Sequence, residues 1–229
     1  MVKIPAWSYS SLKTFETCPR KYQAEKVTKE VQYTDSEATL YGKELHKCAE
    51  DYVNAFCNGE NPSIPPEFQF IQPYLDKLVA IPGKKFCELK LGVKESNGRL
   101  VACDFFDREV WFRGVADLVI VDADKAWVVD YKTGSSAKYA DIRQLALMAA
   151  ALFLKYPQIK KIKTSLLFVV SKDFIKEDFD SKVGLNIFAE LDPLLSRREI
   201  AYNTDVWNPI KNGLCKKHCG VTSCPHNGG

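Results

Sequence analysis

The chain has 229 residues, 46% of them hydrophobic, and a formal net charge of +3, which places it among ordinary globular proteins with room for one sizeable core. A charge so near balance excludes a globally basic nucleic-acid coat, and the longest apolar stretch, Leu145–Leu154, is too short to span a bilayer. The opening MVKIPAWSYS lacks the apolar run of a secretory signal, so an intracellular protein is expected, in which eight cysteines do not form a disulfide framework.

In chain order, the pattern predicts a helix over Trp7 to Val27, capped by Ser8 or Ser10 and interrupted at Cys18-Pro19, with Leu12, Phe15 and Tyr22 on one face. A clearer amphipathic helix runs from Leu40 to Phe56, with Tyr41, Leu45, Ala49, Tyr52, Val53 and Phe56 as its stripe and His46 and Glu50 beside it, one turn apart. A lone histidine in such a place is more often structural than a ligand. After a Gly/Pro-rich loop over Asn58 to Pro66, a helix from Glu67 to Val79 restarts at Pro73. Lys85–Lys94, which carries Glu88, and Arg99–Phe105 flank Asn97-Gly98, a strong hairpin signal.

A second hairpin follows, from Trp111–Val121 and Ala126–Tyr131 around Asp122-Ala123-Asp124-Lys125. With Ala123-Asp124 as a two-residue turn, Asp117 falls directly opposite Asp130, on one face and with Cβ atoms roughly 5 Å apart, where like charges are destabilising. Lys132, two residues on, shares that face. Two carboxylates and an ammonium converging within an otherwise apolar hairpin describe a site for a hard divalent cation with a cationic helper. The bland alternative is a solvated edge hairpin with Lys132 as partner to the two acids.

Gly134-Ser135-Ser136 reads as a loop, Tyr139 to Tyr156 as a helix ended by Pro157, with Gln144 near its start and Leu145, Ala149, Leu152 and Phe153 on its apolar side. Lys155, Lys160, Lys161 and Lys163 form a local basic patch able to meet phosphate, although such clusters are usually solvated faces. Lys163–Ser171 is a buried-strand pattern, and Asp180 to Tyr202 a helix broken or restarted at Pro193. Helices, four or five strands, a helix, a strand and a helix indicate an α+β sheet covered by helices. One domain, 1–229, is expected, with a helical part over 1–80, the sheet over 81–175, and helices with a cysteine cluster over 176–229.

The last fifteen residues, CKKHCGVTSCPHNGG, bring Cys215, Cys219 and Cys224 within ten positions, with His218 and His226 interleaved. So short an ending has little to bury, and thiolates at this spacing are metal ligands in a reducing compartment. Cys18 as a fourth ligand makes a Cys₄ iron–sulfur site, and His226 or His218 instead makes a Cys₃His zinc site. Cys48, Cys57, Cys87 and Cys103 are expected to be small buried hydrophobes.

Together these residues resemble the RecB-like branch of the PD-(D/E)xK nucleases, in particular the small exonucleases associated with CRISPR adaptation and their phage-encoded relatives. The likeness rests on Trp7 to Leu12 with Cys18-Pro19-Arg20-Lys21-Tyr22, Gly42 to His46, Gly114-Val115-Ala116-Asp117, Asp130-Tyr131-Lys132-Thr133-Gly134, and Gln144. It departs at Met148, where the family often has tyrosine, and in the tail spacing Cys-x₃-Cys-x₄-Cys.

The resemblance implies a restriction-endonuclease-like mixed β-sheet flanked by helices, with a metal-bound cysteine-rich tail in which Cys18, Cys215, Cys219 and Cys224 hold a 4Fe–4S cluster. It implies that His46, Asp117, Asp130 and the Tyr131 carbonyl bind Mg²⁺ or Mn²⁺, that Lys132 serves the attacking water, and that Gln144 positions Lys132 or the strand. Glu88 is a weaker candidate. The activity so implied is a metal-dependent DNA exonuclease acting on single strands or ends, in recombination, repair or phage DNA processing. It would lie in the cytoplasm of a bacterium or phage-infected host, with DNA as substrate, recombination or replication proteins as partners, and no membrane. A non-catalytic DNA-binding scaffold and a junction resolvase on the same fold are the competing readings.

Overall fold

The computed structural model describes residues 3–31, 34–134, 140–181 and 184–229. Two compact units divide the chain, Asp35–Ile187 and Met1–Thr34 with Phe188–Gly229.

The first of these holds a six-stranded mixed sheet in the order β2-β1-β3-β4-β5-β6. Its strands are β1 (Lys84–Ser96), β2 (Arg99–Cys103), β3 (Phe112–Asp122), β4 (Lys125–Lys132), β5 (Lys161–Phe168) and β6 (Asp173–Asp180). Positive φ at both Asn97 and Gly98 gives the β1–β2 turn the backbone twist that a tight hairpin requires. β4 and β5 are parallel, and the crossover such a pair needs is a helix, Arg143–Lys155. Helices Glu37–Cys57 and Gln72–Val79 pack through Leu45, Ala49, Tyr52, Val53, Leu75 and Val79 onto Leu118, Ile120 and Val129 of the sheet. In chain order the helices are α1 (Tyr9–Thr17), α2 (Pro19–Tyr22), α3 (Glu37–Cys57), α4 (Gln72–Val79), α5 (Arg143–Lys155) and α6 (Asn186–Thr204).

The expected register of the central hairpin is present: Asp122 faces Lys125 and Leu118 faces Val129. The ladder stops there, one step short of Asp117 and Asp130. On the other side β3 pairs with β1 through Cys87–Leu118 and Leu89–Ala116, which leaves Glu88 and Asp117 across from each other but outside the ladder. Glu88 has φ of 49°, a conformation that costs a side-chain-bearing residue about 1–2 kcal/mol.

This kink resets the face alternation of both strands. Leu118 and Ile120 lie in the α3–α4 cluster, yet Gly114, an even position like them, lies against Met148 of α5. Cys87 reaches toward the Glu50 carbonyl of α3, while Leu91, across from Gly114, shares the α5 face. Two successive residues in each strand, Cys87-Glu88 and Asp117-Leu118, therefore turn toward α3.

In the second unit α1 starts behind Ser8, whose hydroxyl accepts from the Ser11 N–H, so Trp7 precedes the helix that was expected to include it. The break at Cys18-Pro19 is found, Pro19 opening α2, and a π-helical turn follows over Gln23–Val27. The core is an aromatic group, Phe15, Tyr22, Tyr202 and Trp207, around a buried arginine. Arg198 donates through Nε to the Tyr22 hydroxyl at 2.9 Å and through a terminal nitrogen to the Pro5 carbonyl at 2.8 Å.

Several expectations are corrected. α3 begins at Glu37 behind Ser36, three residues early, and Tyr41 and Phe56 at the ends of its stripe are exposed. Cys57 is exposed rather than buried, and Cys87 and Cys103 are half-buried. Burial first, then the nearby Glu50 charge, pushes the Cys87 thiol up to about 12, which keeps it inert. β6 went unread because Asp173, Lys176, Glu177, Asp178 and Asp180 are charged; Ile175 and Phe179 nevertheless pack on Leu166 and Phe168, and the charges suit a sheet edge. α6 runs through Pro193 unbroken, held by buried Phe188 and Leu191 before it and Arg198 and Ala201 after it. The crossover helix starts at Arg143, later than expected, since residues 140–142 are not helical; Tyr139, with Ser135 and Ser136 of the expected loop, lies outside the described residues.

A Cβ at position 92 would stand 2.8 Å from the Asp104 carbonyl oxygen and 2.9 Å from that of Cys103, whereas one at 114 would meet the flexible end of Met148 at 2.6 Å and the Phe112 ring at 3.3 Å, side chains rather than backbone. Gly92→Ala is expected to lower stability by about 1–3 kcal/mol and Gly114→Ala by less, as read from urea unfolding.

Candidate active site

The kink decides what the site contains. His46 stands on α3, Glu88 on β1 and Asp117 on β3, and one ligand atom from each lies within 4.8 Å of the other two; among the described residues no other trio of His, Cys, Asp or Glu does so. The His46 ring spans two elements, with Nε2 donating to the Tyr131 carbonyl at 3.0 Å and Nδ1 3.4 Å from Asp117 Oδ2. The same Asp117 oxygen accepts the Tyr131 N–H at 2.8 Å. Asp117 thus ties the middle of β3 to β4 by side chain, just beyond the point where the backbone ladder between them ends.

Asp130 and Lys132 form the adjoining half. The Lys132 ammonium is 2.6 Å from Asp130 Oδ2, an ion pair by distance, although Oδ2 receives no hydrogen bond of good angle. Gln144 on α5 joins the two residues, its Nε2 donating to Asp130 Oδ1 at 2.6 Å and its Oε1 accepting from Lys132 at 3.1 Å. Met148, one turn further on, is buried against Gly114. Gly42, a turn before His46, lies beside Thr133, whose hydroxyl would meet an added Cβ at 3.4 Å, an ordinary contact. An open cleft of about 480 Å³, lined by Gly42, Lys43, His46, Lys47, Glu50 and Glu88, leads in.

Electrostatics show what this arrangement suits. Burial first, then the Asp117 charge, pushes Asp130 from 3.8 up to about 6 in spite of Lys132. The same two causes raise Glu88. Burial alone would lower His46, but the hydrogen bond and charge of Asp117, with Asp130 adding, raise it. Acids gathered at this cost, one with a buried oxygen short of a hydrogen bond, fit a divalent cation, which favours the ionised forms and suits oxygen ligands.

All the site residues read from the hairpin, α3 and α5 are therefore neighbours, with Asp130 set among Lys132 and Gln144 rather than in the close trio. Glu88 is nearer the centre than its place in a strand pattern implied. The local signal was weak, because Glu88 alternates with Leu89 and Lys90 as on any half-exposed strand. The strand lysines of the patch lie toward the other end of β4: Lys161 pairs with Lys125 and Lys163 with Trp127, five and three residues before Asp130, about 17 and 10 Å of strand.

In the other unit Cys18, Cys215, Cys219 and Cys224 line one enclosed pocket, with Ile210, Leu214 and Val221 among its walls. Neither His218 nor His226 lines it. Cys18 Sγ accepts the Ile210 N–H at 3.4 Å and Cys215 Sγ that of Asn212 at 3.5 Å. The tail is tied down by Asn212 to the Thr17 carbonyl, by Gly228 to the Cys215 carbonyl, and by Arg20 with Glu30 to Ser223. No helix among the described residues is long and apolar enough to cross a membrane.

A family model described as the PD-(D/E)XK nuclease superfamily matches residues 6–224. No curated protein sequence matches the chain. Among solved structures, a protein from Eubacterium rectale described as a candidate exonuclease is similar with a TM-score of 0.52 and 13% identity over 93% of this chain and 86% of that one. The crystal structure of SSO0001 gives a TM-score of 0.47 at 15% identity, over 98% of this chain and 88% of the other.

Two measurements address the site. Mn²⁺ binding followed by calorimetry should weaken at least about tenfold in Glu88→Gln. A carboxyl held near 6, above its ordinary 3.8, favours the folded state below the lower value and loses that contribution as pH rises through the interval. At pH 7 without divalent cation, Asp130→Asn should therefore melt above the parent protein, while added Mn²⁺ should raise the parent's melting temperature by more than the variant's.

Proposed function

From the premise that the chain belongs to the PD-(D/E)XK nuclease superfamily, we propose that it is a Mg²⁺- or Mn²⁺-dependent deoxyribonuclease that degrades single-stranded DNA or DNA ends. The observation that carries this reading is the grouping of His46, Glu88 and Asp117 beside a cleft that His46 and Glu88 line, with the linked Asp130, Lys132 and Gln144 adjoining through Tyr131, whose N–H and carbonyl meet Asp117 and His46. A recombination or replication setting, with proteins of those processes as partners, accords with such an activity.

His46, Glu88, Asp117, Asp130 and the Tyr131 carbonyl would hold the cation. When bound, it neutralises charge on the phosphate and makes water nucleophilic near neutral pH. The chain's own part is positional and electrostatic. Lys132, fixed by Asp130 and Gln144, orients the attacking water and offers its ammonium to a non-bridging phosphate oxygen as negative charge grows there. The new bond joins the water oxygen to phosphorus, the bond to the leaving nucleotide oxygen breaks, and that oxygen takes a proton. Gln144 bonds both the ammonium and the Asp130 carboxylate, so its role is to position rather than to react.

For the four cysteines a 4Fe–4S cluster is the companion assignment, with a structural role. Its support is the enclosed pocket lined by four thiols, the N–H groups aimed at Cys18 and Cys215, and the histidines' absence from the lining. A single tetrahedral zinc would draw the sulfurs closer than 4.8 Å, and no three of them are so placed.

The test is degradation of end-labelled single- and double-stranded DNA by anaerobically purified protein with Mn²⁺, Mg²⁺ or EDTA. Metal-dependent loss of label is expected, with Lys132→Ala and Asp130→Asn slower by at least about a hundredfold at unchanged fold; full activity in either variant removes the site assignment. Broad absorbance near about 400 nm, absent from Cys215→Ala, would carry the cluster, and stoichiometric zinc with no such band would replace it.

A further inference from the structure

The loop between β2 and β3 lays an exposed phenylalanine beside two cations on the sheet face that Glu88 and Asp117 share. Gly114 lies against α5, so the neighbouring Arg113 and Val115 point to the opposite face, toward α3. Lys90 is paired with Val115 and shares that face. It also follows Glu88 by two residues, about 7 Å along the strand. Gly92, paired with Arg113, has no side chain, and the chain at Cys103 and Asp104 crosses over it at backbone distance.

The loop is built to hold a shape. Two turns follow each other, Asp107 N–H to the Asp104 carbonyl and Val110 N–H to the Asp107 carbonyl. Asp104 and Asp107 each accept a backbone N–H two residues on, from Phe106 at 2.7 Å and Glu109 at 2.8 Å. Lys94 takes up Asp107 at 2.8 Å and Glu109 at 3.6 Å. These acids are thus occupied locally, and among the described residues neither Lys90 nor Arg113 pairs with a carboxylate.

What the loop presents is an aromatic step flanked by cations. Phe105 packs edge-on to Phe106 at 5.1 Å. Lys90 stands 5.2 Å from the Phe106 ring and 5.9 Å from that of Phe105, and the Arg113 guanidinium 5.4 Å from Phe105. Phe105 is the half-buried anchor; Phe106 is 69% exposed, the most exposed large hydrophobic among the described residues. A loop that needed only an anchor would have no use for the second ring.

We propose that Phe106, with Lys90 and Arg113, is a stacking platform for unpaired bases of a DNA single strand whose scissile phosphate lies at the site. The inference rests on the nuclease reading and sharpens it to single-stranded substrate. Every base has a face to lay on an aromatic ring, and Lys90 and Arg113 meet the phosphates on either side of it. A paired base in a duplex has both faces occupied, so Phe106 discriminates against double strands.

The experiment is fluorescence anisotropy of a labelled oligothymidylate and of a blunt duplex with full-length protein carrying Asp130→Asn, so that the probe is not consumed. Phe106→Ala is expected to weaken single-strand binding about tenfold, to leave duplex binding unchanged, and to melt like its parent. Phe106→Trp should restore the affinity. Lys90→Ala should lower the steepness of the salt dependence, which Phe106→Ala should not. Equal single-strand affinity of the Phe106→Ala and parent proteins overturns the platform, as does a parent that binds no single strand, or equal loss on duplex and single strand. The nuclease reading fails separately: metal-dependent cleavage with no role for Phe106 keeps the enzyme and removes the platform, and Phe106-dependent binding without cleavage by the unmutated protein does the reverse. Retained DNA affinity in Phe106→Ala with loss of a co-purifying protein would assign the ring to a protein contact and overturn the proposal.

Discussion

The backbone reversal at Glu88 and Asp117 is the constraint on which the sheet unit turns. A regular pair of strands would send Glu88 to the α5 side and keep Asp117 apart from the Leu118 face. Positive φ at Glu88 and the gap in both ladders at Asp117 put two acids on the α3 side while the register on either side is preserved. The strain is small beside the apolar burial of Leu91, Ala116, Leu118, Ile120 and Val129 around it, which is why the sheet can hold it. Strain and acid crowding at one point have a common remedy in a cation, and the Asp117 bond to the Tyr131 N–H replaces the ladder bond that the kink removes.

From that point the two sheet faces take different work. Toward α5 lie Gly114 and Met148, which close the core and carry no chemistry, but the same helix sends Gln144 to bridge Asp130 and Lys132. Toward α3 lie the cleft, His46, and the strip of β1 and β3 that reaches Lys90 and Arg113. The kink that creates the site also decides that Arg113 and Lys90, rather than their neighbours, share its face.

The smaller unit solves a different problem, how to order a short polar tail. Its aromatic group and buried Arg198 organise the helices, but beyond Trp207 there is almost nothing apolar to bury except Val221 and Cys215. Backbone bonds, Asn212, and the Arg20–Glu30–Ser223 network fold the tail back to Cys18. Four thiols around one pocket are then the natural place for the remaining stabilisation to come from.

The amino-acid sequence by itself determined the central hairpin and its register, the order of strands and helices apart from β6, the break at Pro19, and most of the residues that gather at the candidate site. These follow from local periodicity and turn chemistry, which act over a few residues. It was less informative where a long-range contact overrides a local preference: Pro193 inside a packed helix, a charged edge strand, Cys57 in solvent. Tertiary structure alone decided that Glu88 belongs with His46 and Asp117, that Gln144 ties Lys132 to Asp130, that the strand lysines of the patch lie toward the other end of β4, and that Phe106 stands beside Lys90. The reason is the same in each case. A left-handed residue in mid-strand and a chain crossing over Gly92 change which face a side chain takes, and no periodicity along one segment records where its neighbours across the sheet have turned.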